Sequence, residues 1–246
     1  MLVSAAVCPS PPILVPDVAS GAASELDDCR RACHAAIDAV LAGAPDLLVV
    51  LGGGPTTIRY DDTAEGTLRP VGVAIDVPLR PAGTLPTPRV QPPTGARLGL
   101  SLTVGAWLLA GHGWSGPLQA QQVAWDSDPS ACATLGGQIA AVAPTVGLLV
   151  LADGSARRGV RAPGYLDPRA APYDDALSDA LAEASPEALM ALDPVLADEL
   201  MVAGRACLQV LAGAAGGGSW QGLVGYRGDP YGVTYLVATW LRSSGT

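Results

Sequence analysis

The sequence predicts a single α/β domain over residues 1–246, three layers deep, with a mostly parallel or mixed central sheet flanked by helices. Three observations carry this expectation. Short apolar runs at Val3–Val7, Asp46–Leu51 and Val146–Leu151 have the length of strands buried on both faces. Helical segments alternate with such runs along the chain, the pattern of α/β folds. A length of 246 residues suits one large domain, and no second hydrophobic unit demands its own boundary.

The elements follow in order. Val3–Val7 is stopped by Pro9, Pro11 and Pro12, which cannot donate to a ladder. Ser24 is positioned to cap a helix reaching Leu41 and closed by Gly43. Its apolar face carries Leu26, Cys29, Cys33, Ile37 and Val40 at three- and four-residue steps. Asp46–Leu51 is the second buried strand, and Gly52-Gly53-Gly54-Pro55 reads as a tight turn at its end. Val71–Val77 reads as a strand, and Pro78–Pro93, rich in Pro and Thr, as a long surface loop. Arg97–Ala110 reads as a helix ended by Gly111-His112-Gly113, and Leu118–Trp125 as a strand. Asp128 with Pro129 marks a helix start running to Val142, before the strand Val146–Leu151. Helices are expected at Tyr173–Ala184 and Pro186–Ala203, with a break near Asp193-Pro194. Gly213–Ser219 reads as a loop, Gln221–Tyr226 as a late strand and Tyr231–Leu241 as a closing helix.

Composition narrows the function classes. A net charge of −9 argues against nucleic acid and anionic membranes, which call for a basic stripe. No run of about 18 apolar residues is present, so no membrane span is expected. The apolar start MLVSAAVCPSPPILVP has no basic region, and Val7, not a small residue, precedes Cys8, so it does not read as a secretory signal. The chain has no Lys, Asn or Phe, which reads as the codon bias of a high-GC genome. Five cysteines at irregular spacings form no CxxC pair and fit buried thiols in a reducing cytoplasm. His34 reads as a helix-flank residue, and His112 as one that suits the helix C-terminal dipole.

The richest stretch for function is Gly147–Arg169. Its buried strand breaks at Asp153-Gly154-Ser155, and Arg157, Arg158 and Arg161 follow at once. Ligands of open α/β sheets sit beyond the carboxyl ends of the strands. Arg157 and Arg158, in an otherwise acidic chain, suit a small carboxylate or phosphate, with backbone N–H groups of Gly53, Gly54 and Gly154 as further donors. The structural reading is that the same arginines pair with Asp153, Asp167, Asp174 or Asp175 and hold the following loop. Without GxGxxG, GxxxxGK[ST] or any lysine, the glycine run does not make a nucleotide site. Ser155 lies in DGSAR, not GxSxG, and Cys8 has no evident base.

Four segments, in order, resemble the LigB-type class III extradiol ring-cleavage dioxygenases. These are AAVCPSPPILVPDV (Ala5–Val18), PDLLVVLGGGP (Pro45–Pro55), LGGQIAAVAPTVGLLVLADGSAR (Leu135–Arg157) and DPYGVTYLVA (Asp229–Ala238). The resemblance implies that family's α/β fold and, since the family often pairs its subunits, self-association. It also implies Fe(II) held by two histidines and a carboxylate, with a further histidine as acid/base. Here the chain departs from the family. Ser10 stands where the first ligand histidine is expected, Gly53 or Gly54 near the second, and Ala156 at the histidine of the "GSLSH" turn. The chain has two histidines in all, neither in a matching turn, and the spacing of Cys8, Asp153 and Asp229 fits no recognised metal pattern. The resemblance with these departures implies a pseudoenzyme without iron or another cofactor, binding a ligand or serving in assembly; the thiols place it in the cytoplasm. The alternatives are iron-free chemistry at the same strand ends, or an iron dioxygenase with displaced ligands. The site candidates are Ser10, Gly53, Gly54, Asp153, Ser155, Arg157, Arg158, Asp229 and Tyr231.

Overall fold

The structure is a computed structural model that describes residues 1–80 and 97–243. Its strands are β1 (Leu2–Cys8), β2 (Leu47–Gly54), β3 (Ile58–Asp61), β4 (Glu65–Thr67), β5 (Asp76–Pro78), β6 (Leu118–Ala124), β7 (Val146–Leu151), β8 (Trp220–Gly228) and β9 (Tyr235–Arg242). Its helices are α1 (Pro16–Ala19), α2 (Asp27–Ala42), α3 (Leu100–Ala110), α4 (Pro129–Ala141), α5 (Ala170–Ala182), α6 (Pro186–Met190), α7 (Pro194–Glu199) and α8 (Arg205–Ala215). Seven strands make one mixed sheet in the order β3-β6-β2-β7-β1-β9-β8, while β4 and β5 pair separately. The four central strands are parallel, and both edges are antiparallel.

β2 and β7 are buried throughout, and β1 at every residue but Val3, because each strand serves two cores. Ala5, Val7, Leu47, Val49, Leu51, Leu148 and Val150 face one core with residues of α4, α5 and α8. Ala6, Cys8, Leu48, Val50, Leu149 and Leu151 face the other, with residues of α2 and α3. The period of two assigns alternate residues to opposite faces. The result is the three-layer α/β fold that the strand and helix pattern predicts. No described helix is long and apolar enough to cross a membrane.

Several boundaries differ from the sequence reading, each for a local reason. Gly52–Gly54 is not a turn but the end of β2, in parallel register with Gln122, Val123 and Ala124 of β6. A Cβ on Gly54 would lie 2.2 Å from Cδ of the buried Gln122, so a side chain there would have to displace that glutamine. Gly72, at φ 90°, interrupts the expected strand Val71–Val77 and leaves the short β5. Ser24 caps nothing; a 3₁₀ stretch over Ser20–Leu26 leads into α2. α3 begins at Leu100 rather than Arg97. Tyr231–Leu241 does not close the chain as a helix; β9 lies between β1 and β8. α8 extends into the expected loop Gly213–Ser219. The helix expected over Pro186–Ala203 divides into α6 and α7 at Asp193, whose carboxylate caps α7. In the expected loop Pro78–Pro93, residues 81–93 lie outside the described residues.

Helices α4 and α8 approach more closely than ordinary side chains allow. A Cβ on Gly136 would sit 2.2 Å from the Val210 carbonyl oxygen, and one on Gly213 would sit 2.5 Å from the Ala133 carbonyl oxygen. Both clashes are with backbone, so no rotamer relieves them. Gly136→Val is expected to cost about 3 kcal/mol or more by overpacking, measured as a lower urea midpoint. Gly137, one residue on, faces open space. Gly137→Ala is expected to stabilise by about 0.5–1 kcal/mol through helix propensity. Equal effects at the two positions would refute the close-packing account.

Candidate functional site

The carboxyl ends of β1, β2 and β7 meet at one crevice, where ligands of open α/β sheets sit. Its inner part is a cavity of about 300 Å³ lined by Ser10, Gly53, Gly54, Ser101, Trp125 and Asp153, among others. An outer pocket of about 840 Å³ shares Pro55, Trp125 and Ala203 with it and adds Asp126, Val195, Asp198, Met201 and Arg205.

Each wall has a local cause. β7 ends at Leu151, and two residues later Asp153 lies half-buried in the cavity wall. After β1, Ser10 donates its backbone N–H to Oδ1 of Asp153 at 3.0 Å and its hydroxyl to Oδ2 at 3.1 Å. These bonds fix the carboxyl without neutralising it, and among the described residues no cation pairs with it. Burial pushes its pKa up from the usual carboxylate range to about 6, against the opposing pull of the Ser10 bonds. β2 contributes a wall of bare backbone. A Cβ on Gly52 would lie 2.8 Å from Oγ of Ser101, and one on Gly53 would lie 2.7 Å from Nε1 of Trp125. Gly204 brings the start of α8 against the end of β7, its N–H donating to the Asp153 carbonyl at 3.2 Å.

The sequence candidates divide into two groups. Ser10, Gly53, Gly54 and Asp153 line the inner cavity together. Ser155 does not line it; it is fully buried and donates its N–H and hydroxyl to Asp174 at 2.9 and 2.5 Å. Thr234 donates to the same carboxylate at 2.7 Å. Arg158 forms ion pairs with Asp229 at 3.1 Å and Asp174 at 3.8 Å. Arg157 donates to the Gly164 carbonyl at 2.7 Å. The hydroxyl of Tyr231 donates to Glu25 at 2.9 Å. Neither arginine lines the inner cavity or the outer pocket, and both hold the loop after β7. Trp125, Ser101 and Arg205 carried no sequence signal: a strand-end Trp, an early-helix Ser and a helix-start Arg are common. Arg205 is turned inward, donating to the carbonyls of Ser127 and Trp125 and to Oε1 of Gln209.

Fold and crevice together define a three-layer α/β protein with a small-molecule-sized cavity at its strand ends. No family model matches the sequence, and no curated protein matches it. Among solved structures, the chain is similar to an uncharacterized protein, JW3007, from Escherichia coli K12. That likeness has a TM-score of 0.54 at 13% identity and covers 97% of this chain and 99% of that one. At such identity it supports the fold alone.

A second polar cluster lies at the other end of the sheet, where α3 runs back toward the start of β6. Nδ1 of His34 and Nε2 of His112 are 2.8 Å apart, and Nδ1 of His112 is 2.7 Å from Oδ1 of Asp38. The histidines were expected as separate helix-flank and helix-end residues; they form one link between α2 and the end of α3. A single proton fits between the rings, so charging both sets two N–H groups head to head. Burial first, and His112 second, lower the pKa of His34, with Asp38 opposing and Arg30 assisting. The unfolded ring therefore takes up its proton at a higher pH than the folded one. The stabilising contribution is complete above about pH 6.5 and falls as pH drops toward the folded value. His34→Gln, neutral throughout, is expected to lose less melting temperature between pH 7.5 and 5.5 than the parent protein. Equal losses would show that the link does not titrate in this range.

Proposed function

We propose that the protein binds a small molecule in the crevice at the carboxyl ends of β1, β2 and β7, as a divergent LigB-like protein without that family's iron chemistry. The observation that carries this reading is Asp153. A carboxyl with a pKa of about 6 costs stability when ionised, yet it stands half-buried in the cavity wall with no cation beside it among the described residues. The four ordered sequence motifs support the LigB-like descent. The donor set argues against Fe(II): among the described residues the inner cavity offers one carboxylate, two serine hydroxyls and an indole, where the family's iron requires two imidazoles. His34 and His112 are engaged with each other at the opposite end of the sheet.

One observation favours a second reading, an enzyme without iron. A pKa of about 6 suits a group that exchanges a proton near neutrality, so Asp153 would act as acid or base on a bound molecule. Product formation abolished by Asp153→Asn, with binding retained, would select this reading over binding alone.

The linkage sign gives a test that needs no ligand. The folded state holds the Asp153 proton more tightly than the unfolded state, so the cost of ionisation is present above about pH 6 and gone below about pH 4. Asp153→Asn is expected to raise the melting temperature at pH 8 by a few degrees and to give no gain at pH 4. The parent protein is expected to gain thermal stability from a subset of a small-molecule library that fails to stabilise the variant. A variant less stable at pH 8 would make the carboxylate a structural necessity, and a library without hits would remove the binding proposal.

A further inference from the structure

The inner cavity presents two unmet hydrogen-bonding demands of opposite sense. The first is for a donor. Each Asp153 oxygen accepts one bond from Ser10 and keeps lone-pair capacity, and no other described side chain donates to either. A hydroxyl or ammonium group satisfies that demand.

The second demand is for an acceptor. α3, eleven residues long, begins at Leu100 with Gly99 as its cap residue and no side-chain cap. The N–H groups of its first turn lack intrahelical partners, and the partial positive end of the helix lies at the cavity, whose lining includes Gly99, Leu100 and Ser101. Independently of the helix, the Ser101 hydroxyl oxygen is buried with no hydrogen-bond partner among the described residues. Leaving a buried polar atom unpaired costs free energy, and native structures rarely do so without a reason such as an absent ligand. The same oxygen stands over Gly52, where a Cβ would come within 2.8 Å of it.

No arginine lines the inner cavity among the described residues, and Arg205 in the outer pocket is committed to protein acceptors. Acidic groups prevail around the outer pocket, where Asp126 and Asp198 stand. A polyanion such as a nucleotide is therefore disfavoured, and a single negative charge met by helix amides and a hydroxyl is favoured. A cavity of about 300 Å³ limits the part held there to a small fragment. Trp125, half exposed where cavity and pocket join, offers an apolar face for the rest of the molecule.

We infer that the ligand class is a small hydroxy- or amino-carboxylate, its hydroxyl or ammonium on Asp153 and its carboxylate on the α3 start and Ser101. This rests on the crevice being a ligand site and adds the bifunctional requirement. It also shifts recognition of an anion from Arg157 and Arg158 to backbone and serine.

The test uses the full chain and four matched probes measured by ligand-observed NMR titration: 2-hydroxyisovalerate, valine, isovalerate and isobutylamine. The first two carry both functions, and the last two carry one each. One or both bifunctional probes are expected to bind at least about tenfold more tightly than either single-function probe. Ser101→Ala is expected to weaken the carboxylate probes and leave isobutylamine unchanged, and Asp153→Asn to weaken the probes carrying a hydroxyl or ammonium and spare isovalerate. Circular dichroism confirms that each variant is folded. Comparable binding of all four probes, abolished by Gly53→Trp, would overturn the bifunctional class while leaving the crevice as a site. Binding of none at millimolar concentration would overturn both, as would binding indifferent to all three substitutions.

Discussion

The crevice depends on the fully buried carboxylate of Asp174. A carboxylate taken from water must be met by donors, and here three hydroxyl and amide donors converge: Ser155 through N and Oγ, and Thr234 through Oγ1. Arg158 adds an ion pair at 3.8 Å. These partners come from the loop after β7 and from the residue just before β9, whereas Asp174 itself belongs to α5. The knot thus joins the end of a central parallel strand to a helix on one face and to the antiparallel edge of the sheet. Gly154 lies within it, since a Cβ there would be 2.8 Å from Oδ1 of Asp174. Removing the carboxylate would leave several buried donors unpaired at once.

The knot also explains why Asp153 and Ser155, two residues apart, have different fates. Past β7 the chain bonds to Thr234 on both sides of Ser155, which holds Ser155 in the buried network, while Asp153 stays in the cavity wall. Asp174 is surrounded by donors. The Asp153 carboxyl has one partner among the described residues, Ser10, and burial raises its pKa to about 6. Environment gives the two carboxyls different parts: donors bind Asp174 into the structure, and Asp153 keeps open acceptor capacity in the cavity wall. The loop arginines belong with the first role: Arg158 bridges Asp174 and Asp229, and Arg157 holds Gly164.

The extent to which this architecture can be read from the chain follows from which signals are local. The adjacency of β1, β7 and β2 is legible because doubly buried parallel strands are nearly continuous apolar runs, and Asp128-Pro129 and Asp193-Pro194 mark helix starts through side chain and ring geometry. β9 is not legible as a strand because a short run buried on all sides, as Tyr235–Ala238 is, has no distinguishing period. Whether it pairs with β1 depends on residues more than 200 positions away. The glycines at 52–54 look like a turn locally; only the cross-strand Gln122 and the facing Trp125 and Ser101 show why side chains are excluded. For the site, strand-end position found Ser10, Gly53, Gly54 and Asp153. Charge composition selected the arginines, yet charge alone does not reveal which way a guanidinium turns. Ser101 was invisible because a hydroxyl stands out only when its partners are known to be missing.

The glycine wall and the unpaired serine bear on each other. A strand that only needed to fill space beside Ser101 and Trp125 would gain by carrying side chains there, since glycine in a strand interior gives up both packing and conformational entropy. Close neighbours account for part of the choice: Gln122 occupies the space at Gly54, and Ser101 that at Gly52. At Gly53 the neighbours are the half-exposed indole of Trp125, which could swing outward, and the Ala203 carbonyl oxygen, 3.2 Å from where a Cβ would lie. Filling that position would narrow the cavity between Asp153 and the start of α3. The open volume, the uncompensated carboxyl and the unpartnered hydroxyl each weaken the fold locally, and all three fall within one cavity. Nε of Arg157 and the Tyr173 hydroxyl are also buried without a partner and lie outside this cavity; the coincidence of three costs within one cavity is what the proposed ligand would account for.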